Sequence, residues 1–204
     1  MKTGNGRMKI AWIGTGVMGT SMVRRLLTAG HGVTVHTRTR GKAEALLKEG
    51  ATWAGSPREA AEGAQVAITM VGYPQEVREV VLGVDGLSTH PPKGQVWVDM
   101  STTAPALAEE IHREAVSRHC EALDAPVTGG DIGAREGRLS IMVGGSSDIF
   151  LLLKPVFEAM GTTVMHHGGP GAGQRAKLSN QIVIAGTMIG VCECLLYARR
   201  QKLD

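Results

Sequence analysis

Apolar residues fall in short runs separated by stretches of helical period, so that the order reads strand, helix, strand, helix along most of the chain. Lys9–Ile13, Val33–Thr37, Val66–Val71 and Val96–Met100 are compact runs rich in Val and Ile, as expected of strands covered on both faces. Val17–Thr28 predicts the first helix, ended by Gly30, and Lys42–Lys48 a second. Pro105–His119 predicts a helix with proline in its first turn, where a missing N–H does no harm. Glu121–Asp124, Ser140–Val143 and Thr163–His166 are further strands. Asp148–Met160 predicts a helix before the last of them, with Pro155 as its weak point. This alternation predicts an α/β fold with a mostly parallel sheet between helical layers.

After Gly168-Gly169-Pro170-Gly171 the pattern changes. Ala172–Arg200 predicts one long helix, apolar on nearly every face, and such a helix must be covered by other elements. Ile182–Leu196 is apolar and holds Gly186-x-x-x-Gly190, a pattern found in membrane helix pairs. A span needs about 20 apolar residues; this run is shorter and carries Glu193, so the expectation is a buried helix of a soluble protein. The expected divisions are a loose tail over 1–8, a nucleotide-binding domain over 9–169, and the start of a helical domain over 170–204.

Composition narrows the functional classes. A chain of 204 residues holds one full domain and the beginning of another. A net charge of +3 and an aromatic content of 3% supply no platform for nucleic acid. Cys120, Cys192 and Cys194 form no C-x-x-C pair, so neither a disulfide frame nor a metal site is expected. Cys192 and Cys194 are expected to be buried as small hydrophobes. Met1–Arg7 is polar and shows no secretory leader, which points to the cytoplasm.

Gly14-Thr15-Gly16-Val17-Met18-Gly19 follows an apolar strand and opens a helix, the context that gives a G-x-G-x-x-G run its meaning. Gly14 permits the tight turn, Gly16 lets a pyrophosphate approach the backbone, and Gly19 lets helix and strand pack closely. The helix N-terminus offers N–H groups to phosphate. The fold expected from this unit is a Rossmann-type, doubly wound sheet. After the second strand, where an NAD site usually has an acid, stand His36-Thr37-Arg38-Thr39-Arg40. Arg38 and Arg40 are suited to a 2′-phosphate, which favours NADP over NAD, with Thr37, Thr39 and Val71 also on the cofactor side.

Three later segments carry candidate chemistry. Ser101 and Thr102 end a strand, placed either to meet the cofactor or to cap the next helix. Thr128-Gly129-Gly130 joins a hydroxyl to a turn rich in N–H groups, which suits a carboxylate. Lys177 lies in the first turns of the long helix with Asn180 and Gln181 three and four residues on. A lysine near a helix N-terminus is disfavoured as a cation and so can exchange a proton, although this segment alone fits a surface lysine on an amphipathic helix better.

Taken together, Gly14-x-Gly16-x-Met18-Gly19-x-x-Met22, Asp99-Met-Ser-Thr102, Asp124-Ala-Pro-Val-Thr-Gly-Gly130 and Gly171-x-Gly173-x-x-x-Lys177-x-x-Asn180 resemble the β-hydroxyacid dehydrogenase family. That family includes 3-hydroxyisobutyrate dehydrogenase and tartronate semialdehyde reductase. The resemblance runs from Lys9 to the end. It implies that Lys177 is the proton donor and acceptor and that Thr128, Gly129 and Gly130 hold the substrate carboxylate. It further implies that Asn180, or the adjacent Gln181, orients the substrate and that Thr102 contacts the cofactor. The implied reaction interconverts a small β-hydroxy acid and its semialdehyde with NADP or NAD and no metal. Thr128 stands where serine is usual, adding a methyl to the carboxylate pocket, and Asn180-Gln181 is closer to the tartronate semialdehyde reductase branch.

Members of the family continue into an all-helical domain that packs on the long helix, and Ala172–Arg200 would be the first helix of that otherwise missing domain. An uncovered helix with Ile182, Ile184, Met188, Ile189, Leu195 and Leu196 would favour a homo-oligomer. Two expectations follow: a dehydrogenase of small hydroxy acids, or a cofactor-binding module that is catalytically silent because its cleft lacks one wall.

Overall fold

The computed structural model describes residues 6–204; the part of the expected tail on residues 1–5 lies outside the described residues. The strands are β1 (Lys9–Ile13), β2 (Gly32–His36), β3 (Thr52–Trp53), β4 (Val66–Thr69), β5 (Val96–Asp99), β6 (Glu121–Asp124), β7 (Val127–Thr128), β8 (Leu139–Gly144) and β9 (Gly161–Gly168). They form one sheet in the order β3-β2-β1-β4-β5-β6-β8-β7, with β9 paired to β8. From β3 to β6 every pairing is parallel; β8 runs antiparallel to β6 and β7. The chain winds outward from β1 in both directions, so the crevice beyond the carboxyl ends of β1 and β4 is where a doubly wound sheet takes its ligand.

The helices are α1 (Val17–Thr28), α2 (Glu44–Lys48, after a 3-10 turn at Arg40–Ala43), α3 (Pro57–Ala61), α4 (Pro74–Leu82), α5 (Pro105–Ser117), α6 (Gly130–Glu136), α7 (Ser147–Glu158) and α8 (Ala172–Arg200). They cover both faces, which is why β4 and β5 are buried at every position. Trp12, Met22, Leu26 and Phe157 belong to the core on one side, and Ile13, Val77, Trp97 and Ile111 to the core on the other.

Helix α1 has the expected bounds, and its end is a Schellman turn. Gly30 takes a φ of 87°, its N–H reaches Leu27 O, and His31 N–H reaches Leu26 O. The strands expected to extend to Val71 and Met100 stop at Thr69 and Asp99, leaving Met70, Val71 and Met100 in loops. Pro155 does not end α7, whose hydrogen bonding continues through Ala159 N–H to Pro155 O. The short elements β3, α3, α4, β7 and α6 lie outside the predicted set. Two of them were signalled by caps: Ser56 Oγ accepts from Glu59 N–H ahead of Pro57, and Glu76 caps α4 behind Pro74.

Two expectations about α8 are corrected. Gly173, Gln174 and Lys177 are its only buried residues, and every position from Gln181 to Tyr197 is exposed. The burial expected of this helix in a soluble protein is not found, while the uncovered face expected at Ile182, Ile184, Met188, Ile189, Leu195 and Leu196 is, because nothing in the described chain packs on it beyond its first turns. Cys192 and Cys194 are exposed with it, while Cys120 is buried. An 18-residue window of α8 has a mean hydropathy of 1.7 with none of it buried, long and apolar enough by those measures to cross a membrane.

Candidate active site

Gly14 leaves β1 at a φ of 103° and its N–H bonds to His36 O at 2.9 Å. A Cβ on Gly14 would overlap the Met70 carbonyl, and one on Gly19 would overlap Gly14 O. The carbonyl of Gly14 is also held by the Trp12 indole N–H at 2.9 Å. Gly14 and Gly19 thus fix the turn by close packing. Gly16 differs, since a Cβ there would meet nothing within 4 Å.

Helix α1 has no side-chain cap and no acid in its first turn, and the buried Thr15 Oγ1 has no partner among the described residues. Its N-terminal donors face a cleft of about 1010 Å³. Gly14, Thr15, Gly16, Val17, Met18, Gly19, Thr37, Arg38, Thr39 and Val71 all line this cleft. Open space at Gly16, an orphaned hydroxyl and an uncapped helix start fit an anionic group such as a pyrophosphate.

Two of the remaining cofactor candidates sit elsewhere. Arg40 lies outside the lining, its guanidinium 5.1 Å from the centre of the Trp53 ring. Thr102 is exposed just past β5 and is likewise outside the lining. Capping by Ser101 or Thr102 is excluded, because the N-cap of α5 is Ala104 and no side chain caps the helix. Ser101 Oγ instead accepts the Val71 N–H at 3.0 Å, joining the loop after β5 to the cleft.

A buried polar network continues from that loop to α8. Thr69 Oγ1 at 2.8 Å and Ser101 N–H at 3.0 Å both donate to Asp99 Oδ1, while Asp99 Oδ2 has no partner among the described residues. Burial pushes the Asp99 carboxyl up to about 6 against these donors, with neighbouring Asp124 adding to the rise. Gln174 bridges the loop to α8: its Oε1 accepts Thr103 N–H at 3.0 Å and its Nε2 donates to Ser101 O at 2.8 Å. Asp124 receives Gly171 N–H at 2.8 Å on one oxygen and Gln174 N–H at 2.7 Å on the other. Burial raises the Asp124 carboxyl too, offset in part by these two donors.

The same clamp depends on Gly173, where a Cβ would overlap Met142 O and crowd Asp124. One turn beyond Gly173 and Gln174 comes Lys177, only 7% exposed. Burial lowers its amine below the usual lysine range. No ion pair engages it among the described residues. Asn180 continues that face half-buried, with a buried Oδ1 that has no partner among the described residues, whereas Gln181 is exposed.

Thr128 ends β7 half-buried, and Gly129 and Gly130 are exposed at φ values of 130° and 64° where α6 begins. Strand β8 links the two groups: it pairs Ser140 with Thr128, and α8 packs against it. Gln174 and Glu76 were not singled out from the sequence, and Asp99 entered only as the first residue of a family motif. The available signal for Asp99 and Asp124 was an acid at or next to the carboxyl end of a predicted strand, and parallel pairing brings the two side by side.

The profile of the NAD binding domain of 6-phosphogluconate dehydrogenase matches residues 9–169. An Arabidopsis thaliana protein named "Probable 3-hydroxyisobutyrate dehydrogenase-like 1, mitochondrial" is 49% identical over 96% of this chain and 59% of its own length. The 2-hydroxy-3-oxopropionate reductase of Escherichia coli is 40% identical over 97% of this chain and 67% of its own. The structure of Mycobacterium tuberculosis 3-hydroxyisobutyrate dehydrogenase with L-serine superposes with a TM-score of 0.89 at 34% identity, over 97% of this chain and 67% of that one. The chain thus spans about three-fifths to two-thirds of these relatives. With the glycine turn, the sheet order and the matches agreeing from Lys9 onward, this chain belongs to the β-hydroxyacid dehydrogenase family.

Proposed function

We propose that this chain binds a nicotinamide dinucleotide at the glycine turn, NADP ahead of NAD, and contributes the proton-transfer residue of a small β-hydroxy acid dehydrogenase. The observation that carries this is Lys177, a buried amine without an ion-pair partner among the described residues, held one turn beyond a helix start clamped to the sheet. The bound dinucleotide supplies the hydride acceptor or donor at nicotinamide C4. Lys177 Nζ takes the proton from the β-hydroxyl in oxidation and returns it in reduction. A lowered amine pKa increases the neutral fraction that can accept it. The Thr128 hydroxyl and the Gly129 and Gly130 N–H groups hold the substrate carboxylate. The free Asn180 Oδ1 orients the substrate, with Gln181 beside it, and Thr102 meets the nicotinamide end.

The relatives' names support the substrate class. Both 3-hydroxyisobutyrate and 2-hydroxy-3-oxopropionate place a hydroxyl or aldehyde carbon two bonds from a carboxylate. A structure of Psf3, 33% identical, holds NADP+. The proposed setting is the cytoplasm, with self-association through the bare face of α8.

A second reading is a dinucleotide-binding module that is silent by itself, favoured by the exposure of α8 from Gln181 onward. The deciding experiment mixes the chain with NADPH or NADH and a panel of small semialdehyde acids. Oxidation of the reduced nicotinamide that disappears in Lys177→Ala is the expected result. Binding without turnover across the panel favours the silent module, and absence of binding ends both readings.

A further inference from the structure

In an NAD site the ribose hydroxyls are usually met by an acid at the end of the second strand, and here that position is held by Thr37-Arg38-Thr39. The three-dimensional structure supplies an acid from another element. Glu76, in the first turn of α4, places Oε1 2.6 Å from Arg38 Nη2. Strands β2 and β4 flank β1, so Arg38, just after β2, and Glu76, in the helix after β4, face each other across the mouth of the cleft that holds the glycine turn. We propose that Glu76 is a specificity-determining residue that competes with a 2′-phosphate for Arg38. The proposal rests on the dinucleotide assignment above and deepens it.

The two partners differ in freedom. Glu76 Oε2 accepts the N–H groups of Gly72 at 2.8 Å and Tyr73 at 3.2 Å, which ties the carboxylate to the N-terminus of α4. The helix dipole there also favours its charge. Its side chain is 24% exposed against 81% for Arg38, so the guanidinium is the partner able to swing away. A phosphate on the ribose 2′-oxygen must draw Arg38 off Glu76, and the capped carboxylate cannot follow. It is left as a negative charge beside the phosphate. An unphosphorylated ribose brings no charge and offers hydroxyls that the same carboxylate can accept. Preference therefore reflects opposing contributions, with Arg38 and Lys42 attracting the phosphate and Glu76 opposing it. Glu79, which also lines the cleft, adds to the opposing charge.

The test is calorimetric titration of NADP+ and NAD+ into the chain, its Glu76→Gln variant, and both of these in an Arg38→Ala background. Glutamine keeps an oxygen for the α4 cap. Because an exposed ion pair has a modest strength, Glu76→Gln should tighten NADP+ binding by roughly three- to fivefold and leave NAD+ within about twofold. With Arg38 replaced by alanine the gain should fall below about twofold. If Glu76→Gln unfolds the chain, Glu76→Asp retains a capping acid but withdraws it from Arg38, and should shift NADP+ in the same direction. Equal changes for both dinucleotides, no change, or a gain that survives Arg38→Ala overturns the proposal while leaving the dinucleotide site standing. Failure of the unaltered chain to bind either dinucleotide overturns both.

Discussion

Helices α1 and α8 both begin at a glycine-rich turn just past a strand of the same sheet, and they use their N-termini in opposite ways. At α1 the first turn has no acid and no side-chain cap, and Gly16 faces open space. At α8 the N–H groups of Gly171 and Gln174 are already taken by the two oxygens of Asp124. Both use a glycine for close packing, Gly19 against Gly14 O and Gly173 against Met142 O. A helix N-terminus attracts anions wherever it occurs. Whether it becomes a binding site or an anchor depends on whether the protein provides the anion itself. Here the anchor fixes the helix that carries Lys177, the residue proposed to move the proton.

The comparison is most sharply tested by replacing the anchor glycine. Gly173→Val should cost more than about 4 kcal/mol in urea unfolding, since the added atoms meet backbone that cannot yield. Asp124→Ala comes next, at about 3 to 4 kcal/mol, because it strands two buried N–H groups that now bond a carboxylate. The first change has its counterpart at α1 in Gly19, but the second has none, because among the described residues no side chain caps that helix and no acid stands in its first turn.

A pH effect of similar size is expected from Asp99 nearby. Its folded pKa is raised from 3.8 to about 6, so the folded state keeps a proton that the unfolded chain releases between those values. Stability must therefore fall as pH rises across that window, by about 3 kcal/mol at 1.36 kcal/mol per unit. Asp124 acts in the same direction. Unfolding curves for Asp99→Asn should lack most of this slope relative to the unaltered chain.

Lys177→Met should raise stability by about 1 kcal/mol at neutral pH while removing the proposed proton transfer, the trade expected of a buried functional charge. Because the folded amine pKa is lowered, the unfolded chain holds the extra proton until pH passes 10.5, and the gain should shrink as pH approaches that value. The smallest stability effect belongs to Gly16→Ala, which should leave unfolding unchanged within about 0.5 kcal/mol. It should nevertheless weaken dinucleotide binding at least about tenfold, since the added methyl occupies the approach of the pyrophosphate.

Much of the fold was legible because apolar runs buried on both faces admit little but central parallel strands, as for β1, β4, β5 and β6. The elements outside the predicted set are short, two to nine residues, and periodicity needs a longer window to register. The glycine turn was legible because its three glycines do local jobs that their spacing reveals. Gln174 was not, since its partners Ser101 and Thr103 are some seventy residues away. Glu76 was hidden in the same way, across the cleft from Arg38.

Sequence alone determined the layered α/β class, the turn after β1, the length of α8 and the candidacy of Lys177, all properties of neighbours along the chain. Tertiary structure alone decided that Asp124 spends its oxygens on α8, that Arg38 answers to Glu76, and that Cys192 and Cys194 lie exposed. Those outcomes depend on which backbone donors and which faces meet after the sheet is assembled. A hydrogen bond or a buried face is a relation between distant segments, and no local pattern encodes its partner.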